Sequence, residues 1–395
     1  MTIMTSPTAS ATSSLLPLYK RAPMELVRGE GVTLIDADGN TYLDFTSGIG
    51  VNALGYADPG LRDALHQAAD GLVHVSNLFR SASGEDLADR LVALSFADKV
   101  FFCNSGAEAN EGAFKFARKW ARALGGPAKH EIIALRGAFH GRLFASLAAT
   151  DRPAYRAPFR PLAGGVTIAE RSLTDLDAVL NSETTAALIL EPVQAEGGVR
   201  VLDTHLLKEL RAMTCERRIA LIFDEIQCGL GRTGHLFAHE RVDVYPDILT
   251  LAKPLAGGLP MGAVLMSDDI AASMQPGDHG TTFGGGPFVA RVALYALERL
   301  SDPALLKEVR ENGFWLRLRL QQLAERTGRV RAIRGIGYIW GLDVYEPAAD
   351  VIARARDAGL LLVSAGEHTI RLLPPLVASR DDLDAGLQRL ELALG

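Results

Sequence analysis

The chain has 395 residues, 48% hydrophobic and 22% charged, with a net charge of −6. That is enough apolar material for a large core, which excludes a disordered protein, and the absence of a basic stripe argues against nucleic acid as a partner. No apolar stretch approaches the roughly 18 residues of a membrane span. The three cysteines, Cys103, Cys215 and Cys228, lack C-x-x-C spacing and the histidines lack ligand spacing, so neither a disulfide framework nor a metal site is expected.

Residues 1–16 are rich in Ser, Thr and Ala and carry no charge; they read as a disordered tail, with neither the basic nor the apolar region of a secretory signal. Together with the cysteine usage this suits a cytoplasmic protein. Residues 17–58 form an N-terminal segment expected to join a small C-terminal domain. It holds a hairpin signal: Val32 to Ile35, a turn at Asp38-Gly39-Asn40, then Tyr42 to Phe45.

From 59 to 290 short apolar runs alternate with helical segments. The runs are Val100–Cys103, Ile132–Leu135, Ala187–Leu190, Ala220–Phe223, Ile248–Ala252 and Ala263–Met266. This order predicts an α/β fold with a mostly parallel sheet covered by helices. Ligands of such sheets bind at the carboxyl ends of the strands. Ser105, Phe139 to Arg142, Glu191, Asp224 and Lys253 all fall at such ends. Residues 291–395 read as a smaller α/β domain. It carries helical segments through Leu294 to Leu300 and Leu316 to Leu323. Strand-like pieces follow at Ile336–Trp340, Gly359–Val363 and Thr369–Leu373, then a helix from Asp381.

Lys253 and Asp224 close two of the apolar runs. A lysine amine can bond the aldehyde of pyridoxal phosphate, and an acid can keep the pyridine nitrogen protonated so that the ring draws electrons. Other readings of these stretches fare worse. An apolar run ending in Asp-Glu resembles a Walker B strand, but no Gly-Lys dipeptide supplies the matching phosphate loop. Gly229-Leu230-Gly231-Arg232-Thr233-Gly234 fits G-x-G-x-x-G, yet no helix-length segment follows it, as a nicotinamide-binding oxidoreductase would need. Asn104 to Asn110 lies between a strand and a helix. It is either a phosphate-binding helix N-terminus or a capping box around Ser105, and the residues alone leave both open. Phe139 could stack on a flat cofactor and Arg142 could grip a carboxylate. His140 reads as a packed histidine rather than a base.

Ser105-Gly106-Ala107-Glu108-Ala109-Asn110, Phe139-His140-Gly141-Arg142, Glu191-Pro192-Val193-Gln194, Phe223-Asp224-Glu225-Ile226-Gln227 and Lys253 occur in the order of the class III, ornithine-type aminotransferases, which the chain resembles from about residue 17 to its end. The resemblance implies a fold type I pyridoxal phosphate transferase: a large cofactor domain over 59–290, a small one over 291–395, and a homodimer with composite sites. It implies that Lys253 holds the cofactor and moves a proton, Asp224 pairs with the pyridine nitrogen, Gln227 bonds the ring oxygen, and Phe139 and Ile226 sandwich the ring. Ser105, Gly106 and Ala107 would bind the phosphate, with Thr282 of the second subunit. Arg142 and Thr281 would touch substrate, and Glu196 and Arg371 resemble the switch pair of the class. The implied reaction passes an amino group to 2-oxoglutarate. The stretches Ser47–Gly55, His74–Phe79 and Pro276–Phe283 point to N2-acetylornithine as donor. Ornithine, succinylornithine, 4-aminobutyrate and a carrier-linked lysine stay open. Ala195 and Gly286 depart from the commoner pattern close to the substrate.

Overall fold

The computed structural model describes residues 14–395, so most of the tail expected over residues 1–16 lies outside the described residues. The central sheet has seven strands: β1 Lys99–Cys103, β2 Glu131–Leu135, β3 Val166–Ala169, β4 Thr185–Leu190, β5 Ala220–Asp224, β6 Ile248–Leu251 and β7 Gly262–Met266. Their order across the sheet is β1-β7-β6-β5-β4-β2-β3. The five strands from β6 to β3 run parallel, and β7 is antiparallel to both β6 and β1. The carboxyl ends of β1, β4, β5 and β6 therefore share one edge. Strand β3 was not expected. It is an edge strand with exposed and half-buried residues, so it lacks the continuous apolar run that marks the central ones.

The central strands are apolar because both faces are covered. In β4 and β5, Leu188, Leu190, Leu221 and Phe223 enter one core. The alternating Ala187, Ile189, Ala220 and Ile222 enter another. Helix α1, Gly106–Gly125, closes that second core with Ala109, Ala113, Ala117 and Ala121 at four-residue spacing. These small side chains let the helix approach the sheet closely. The N-cap Ser105 accepts from Glu108 N, and Glu108 Oε2 accepts from Asn104 N at 2.6 Å. The capping reading of this segment is thus realised.

Helix α2, Pro287–Leu300, spans the expected boundary at residue 290 and packs on helices Pro59–Ala69 and Ala82–Leu94. Helix α3, Pro303–Thr327, then leads into an antiparallel sheet of Val330–Ile336, Ile339–Val344, Thr369–Leu372 and Val363–Ser364. The stretch Ile336–Trp340, expected as a strand piece, holds a hairpin turn. Ile336 pairs with Ile339, leaving Gly337 and Tyr338 as the loop. Gly337 sits at φ +54°, and a Cβ there would meet the Arg232 carbonyl oxygen at 2.5 Å. The run Gly359–Val363 divides between two sheets. Leu360–Leu361 pairs in parallel with Thr41–Asp44, while Val363–Ser364 pairs with Thr369–Leu372. That split ties the N-terminal hairpin to the C-terminal part. The last helix, α4 Arg380–Leu394, lays Gly386 against the buried ring of Phe45.

Candidate active site

Ser105, Gly106, Ala107, Phe139, Arg142, Glu196, Asp224, Ile226, Gln227 and Lys253 line one cavity of about 400 Å³ at the carboxyl edge of the sheet. Lys253 leaves β6 at φ +32°, a conformation costly for a residue with a side chain. Burial, then the nearby charge of Arg371, pushes its amine down to about 8. Asp224 is buried at the end of β5. Its Oδ2 accepts from Asn110 Nδ2 at 2.8 Å and lies 2.8 Å from His140 Nδ1, while Oδ1 accepts from Ile226 N. An ionised carboxylate only accepts, so His140 Nδ1 carries the proton. Asn110 also donates to the His140 carbonyl and accepts from the Thr250 hydroxyl. The acid is thus fixed from strand, loop and helix at once. His140 is buried and packed, as expected, though its Nε2 has no partner among the described residues.

Two residues missed or left without a role carry weight. Asn110 belongs to the quoted helix motif, and only the fold brings it to Asp224. Glu191 is a buried clamp: Oε1 accepts from Phe139 N at 2.7 Å and Oε2 from Ala195 N at 3.1 Å. Burial raises its carboxyl to about 7, His140 opposes that shift and Asp224 adds to it. A strand-end acid followed by Pro was the only sequence signal.

Arg371 is buried beside this cavity. Its Nη1 donates to Gln227 Oε1 at 2.8 Å and pairs with Glu196 Oε1 at 2.7 Å. Gln227 is therefore engaged with Arg371. Arg142 is exposed and stacks on Tyr155, its Cζ 3.6 Å from the ring centroid, with Phe139 at 5.9 Å.

Thr281 and Thr282 are not brought into the cavity. They line a separate groove of about 830 Å³ with His74, Asn77 and Phe102. Thr281 touches the cavity wall only through Asn104 Nδ2, at 3.3 Å. Gly229 to Gly234 forms a buried turn that opens no helix, so the dinucleotide reading of that loop has no structural basis.

The residues fit pyridoxal phosphate. A buried carboxylate and an amine of lowered proton affinity face one cavity, and the N–H groups of a helix's first turn have no intrahelical acceptor and suit a phosphate. Gly106 leaves that approach open: a Cβ there would sit 2.8 Å from Ile226 Cδ1. Among the described residues, no group of His, Cys, Asp and Glu has the makings of a metal site.

A family model described as aminotransferase class-III matches residues 18–394. Acetylornithine aminotransferase 1 of Bradyrhizobium diazoefficiens is 44% identical, over 100% of this chain and 96% of its own. The solved N-acetylornithine aminotransferase of Stenotrophomonas maltophilia is 36% identical with a TM-score of 0.84, covering 94% of this chain and 96% of its own. An amine transaminase from an uncultivated Pseudomonas species, solved in its PLP-bound form, is 28% identical with a TM-score of 0.91, covering 98% and 99%.

Proposed function

The chain belongs to the class-III aminotransferase family, and on that premise we propose that it moves the δ-amino group of N2-acetylornithine to 2-oxoglutarate, a step of arginine biosynthesis, as a cytoplasmic homodimer. Pyridoxal 5′-phosphate is the cofactor; when bound, it supplies an aldehyde that takes up the amino group and a ring that draws electrons from the reacting carbon. The single observation that supports the reading most is Lys253 and Asp224 facing one cavity beside a closed Glu196–Arg371 pair.

Lys253 Nζ would hold the cofactor and would move the proton at the carbon that bears the departing amino group. Asp224 would pair with the pyridine nitrogen, and His140 and Asn110 orient that carboxylate. Ser105, Gly106 and Ala107 hold the phosphate at the start of α1. Phe139 and Ile226 hold the two ring faces, and Gln227 serves the ring oxygen or Arg371. Arg142 grips the carboxylate far from the reacting carbon, with Thr281 nearby. Glu196 masks Arg371 while a donor with a neutral δ-carbon is bound; released, Arg371 takes the α-carboxylate of 2-oxoglutarate.

Thr282 completes the phosphate site of a second copy of the chain. Support for that pairing comes from the groove of Thr281 and Thr282. Leu78, Phe79 and Phe283 beside it are 89%, 71% and 64% exposed, an apolar rim of the kind a second chain can cover.

A panel of donors tests the assignment: acetylornithine, ornithine, succinylornithine and 4-aminobutyrate, each with 2-oxoglutarate. The highest kcat/KM should fall on acetylornithine. A better rate with any other donor replaces it as the substrate, and no transfer from any of them overturns the reading.

A further inference from the structure

A second concave site lies away from the catalytic cavity and shares no residue with it. It is a groove of about 460 Å³ between the segments after β3 and β4, helix α3 and the hairpin Val330–Val344. Four arginines, Arg171, Arg200, Arg317 and Arg334, converge on it above the buried ring of Trp340. One carboxylate among the described residues pairs with them: Asp343 takes Arg334 through two contacts of 2.8 and 2.6 Å. Among the described residues Arg171 hydrogen-bonds only the amide oxygen of Gln194, at 3.1 Å, and Arg200 only the Gly197 carbonyl, at 3.1 Å. Arg317 makes no hydrogen bond or ion pair among the described residues.

Three arginines without an ion pair among the described residues around one depression are unusual here, because acidic residues outnumber basic ones 47 to 41 over the whole chain. A solvated arginine face would spread its charges outward over a convex surface. Here four arginines line one hollow of the size that holds small molecules. Burial, then the charge of Arg200, lowers the proton affinity of Arg171, with Glu170 opposing, so these two arginines repel each other. An anion relieves that repulsion. The planar, multiply donating guanidinium suits carboxylate and phosphate oxygens, and several around one site suit a ligand with more than one negative charge.

We propose that this groove binds a small multivalent anion of the carboxylate or phosphate class, held by Arg171, Arg200 and Arg317, with Arg334 fixed by Asp343 as its wall. The site is distinct from the one that takes the amino donor and keto acid. The carbonyls of Gly197 and Gly198, next to Glu196, are held by Arg200 and Arg334, so the anion sits directly behind that loop.

Calorimetric titration of the holoenzyme with citrate and, separately, with inorganic phosphate tests this at constant ionic strength. Arg200→Gln/Arg317→Gln should weaken one saturable site per chain by at least tenfold and leave the melting temperature unchanged, since both side chains are exposed. A control that removes two exposed arginines elsewhere, Arg28→Gln/Arg62→Gln, should bind as the parent does. Citrate alone binding assigns a polycarboxylate, and phosphate alone assigns a phosphate-bearing ligand. Anion binding in the catalytic cavity survives in the double variant. If all the parent's binding survives there, or if the control loses as much, the proposal is overturned.

Discussion

Glu196 Oε1 lies 2.7 Å from Arg371 Nη1, and the two partners differ in freedom: the arginine side chain is 2% exposed and the glutamate 30%. Arg371 is further held by Gln227 and the Ser364 carbonyl, so the glutamate is the partner able to leave. A fixed arginine with a removable mask suits a site that must accept a neutral carbon first and a carboxylate second. Losing a buried contact to a carboxylate costs roughly 2 to 5 kcal/mol. Arg371→Ala should therefore damage the 2-oxoglutarate half-reaction by that amount and the acetylornithine half-reaction far less. Single-turnover rates of each half-reaction decide it, and equal losses in both would leave only a structural ion pair.

Lys253 carries a pH prediction. Its amine is pushed down to about 8 from 10.5, mainly by burial and then by Arg371. A depressed amine is neutral, and so nucleophilic, above the lowered value. At pH 7.5 about a quarter of it is neutral, against about one part in a thousand at the ordinary value. The rate at which the cofactor-free protein takes up pyridoxal phosphate should rise with pH, reach half its maximum near 8 and level off above it. A rise that continues toward 10 would mean an ordinary lysine. Lys253→Ala should remove both this reaction and transamination while the protein still folds.

Asp224→Asn should keep the fold but lose rate. In the proposed role the carboxylate biases the pyridine nitrogen toward its protonated form, and each unit of that bias is about 1.4 kcal/mol. The amide also brings an N–H group toward His140 and Asn110, which already donate there. A variant within about threefold of the parent, under 1 kcal/mol of barrier, would give Asp224 another role.

The central sheet was legible because its strands are buried on both faces and read as unbroken apolar runs. Their parallel order then put Asp224 and Lys253 on one edge. β3 was not legible, since an edge strand with exposed positions has no such run. The turn at Gly337-Tyr338 hid inside an apolar stretch because the hairpin's tip is itself buried, Tyr338 being 0% exposed. Pairings across the chain were hidden as well. Nothing local joins Asn110 to Asp224, or Glu191 to the backbone of Phe139; these contacts exist only once the strands are aligned. The capping of Ser105 and its place on the cavity wall are both realised, because one hydroxyl at a helix N-terminus serves either purpose.

If Thr282 serves a neighbouring chain, the two kinds of defect should complement. Lys253→Ala spoils the site that contains it, and Thr282→Ala spoils the site on the other subunit. In a mixed dimer both defects then fall on one site or are divided between the two, depending on which chain supplies Thr282. Thr282 supplied across the interface to the site that already lacks Lys253 leaves the second site whole. Mixing the two inactive or weakened proteins should thus recover activity, up to about half of the parent's per mixed dimer. A stable, fully active monomer in light scattering, or no recovery on mixing with subunit exchange shown, would count against a composite site.

Tyr155 should act through Arg142. The guanidinium lies 3.6 Å over its ring and has no carboxylate partner among the described residues, so the aromatic face is what holds it. Tyr155 itself stands on the short helix Pro153–Arg156, where Pro153 fixes the first turn. Such a contact is worth about 0.5 to 2 kcal/mol. If Arg142 grips the distal carboxylate equally before and during the reaction, the loss is uniform binding and falls on KM rather than kcat. Tyr155→Ala should raise KM for both acetylornithine and 2-oxoglutarate by roughly 2- to 30-fold, with kcat nearly unchanged. Tyr155→Phe keeps the ring face and should behave as the parent. If the Phe variant is as impaired as the Ala variant, the hydroxyl rather than the ring is what matters. If kcat falls while KM holds, Tyr155 acts at the reacting atoms and not through Arg142.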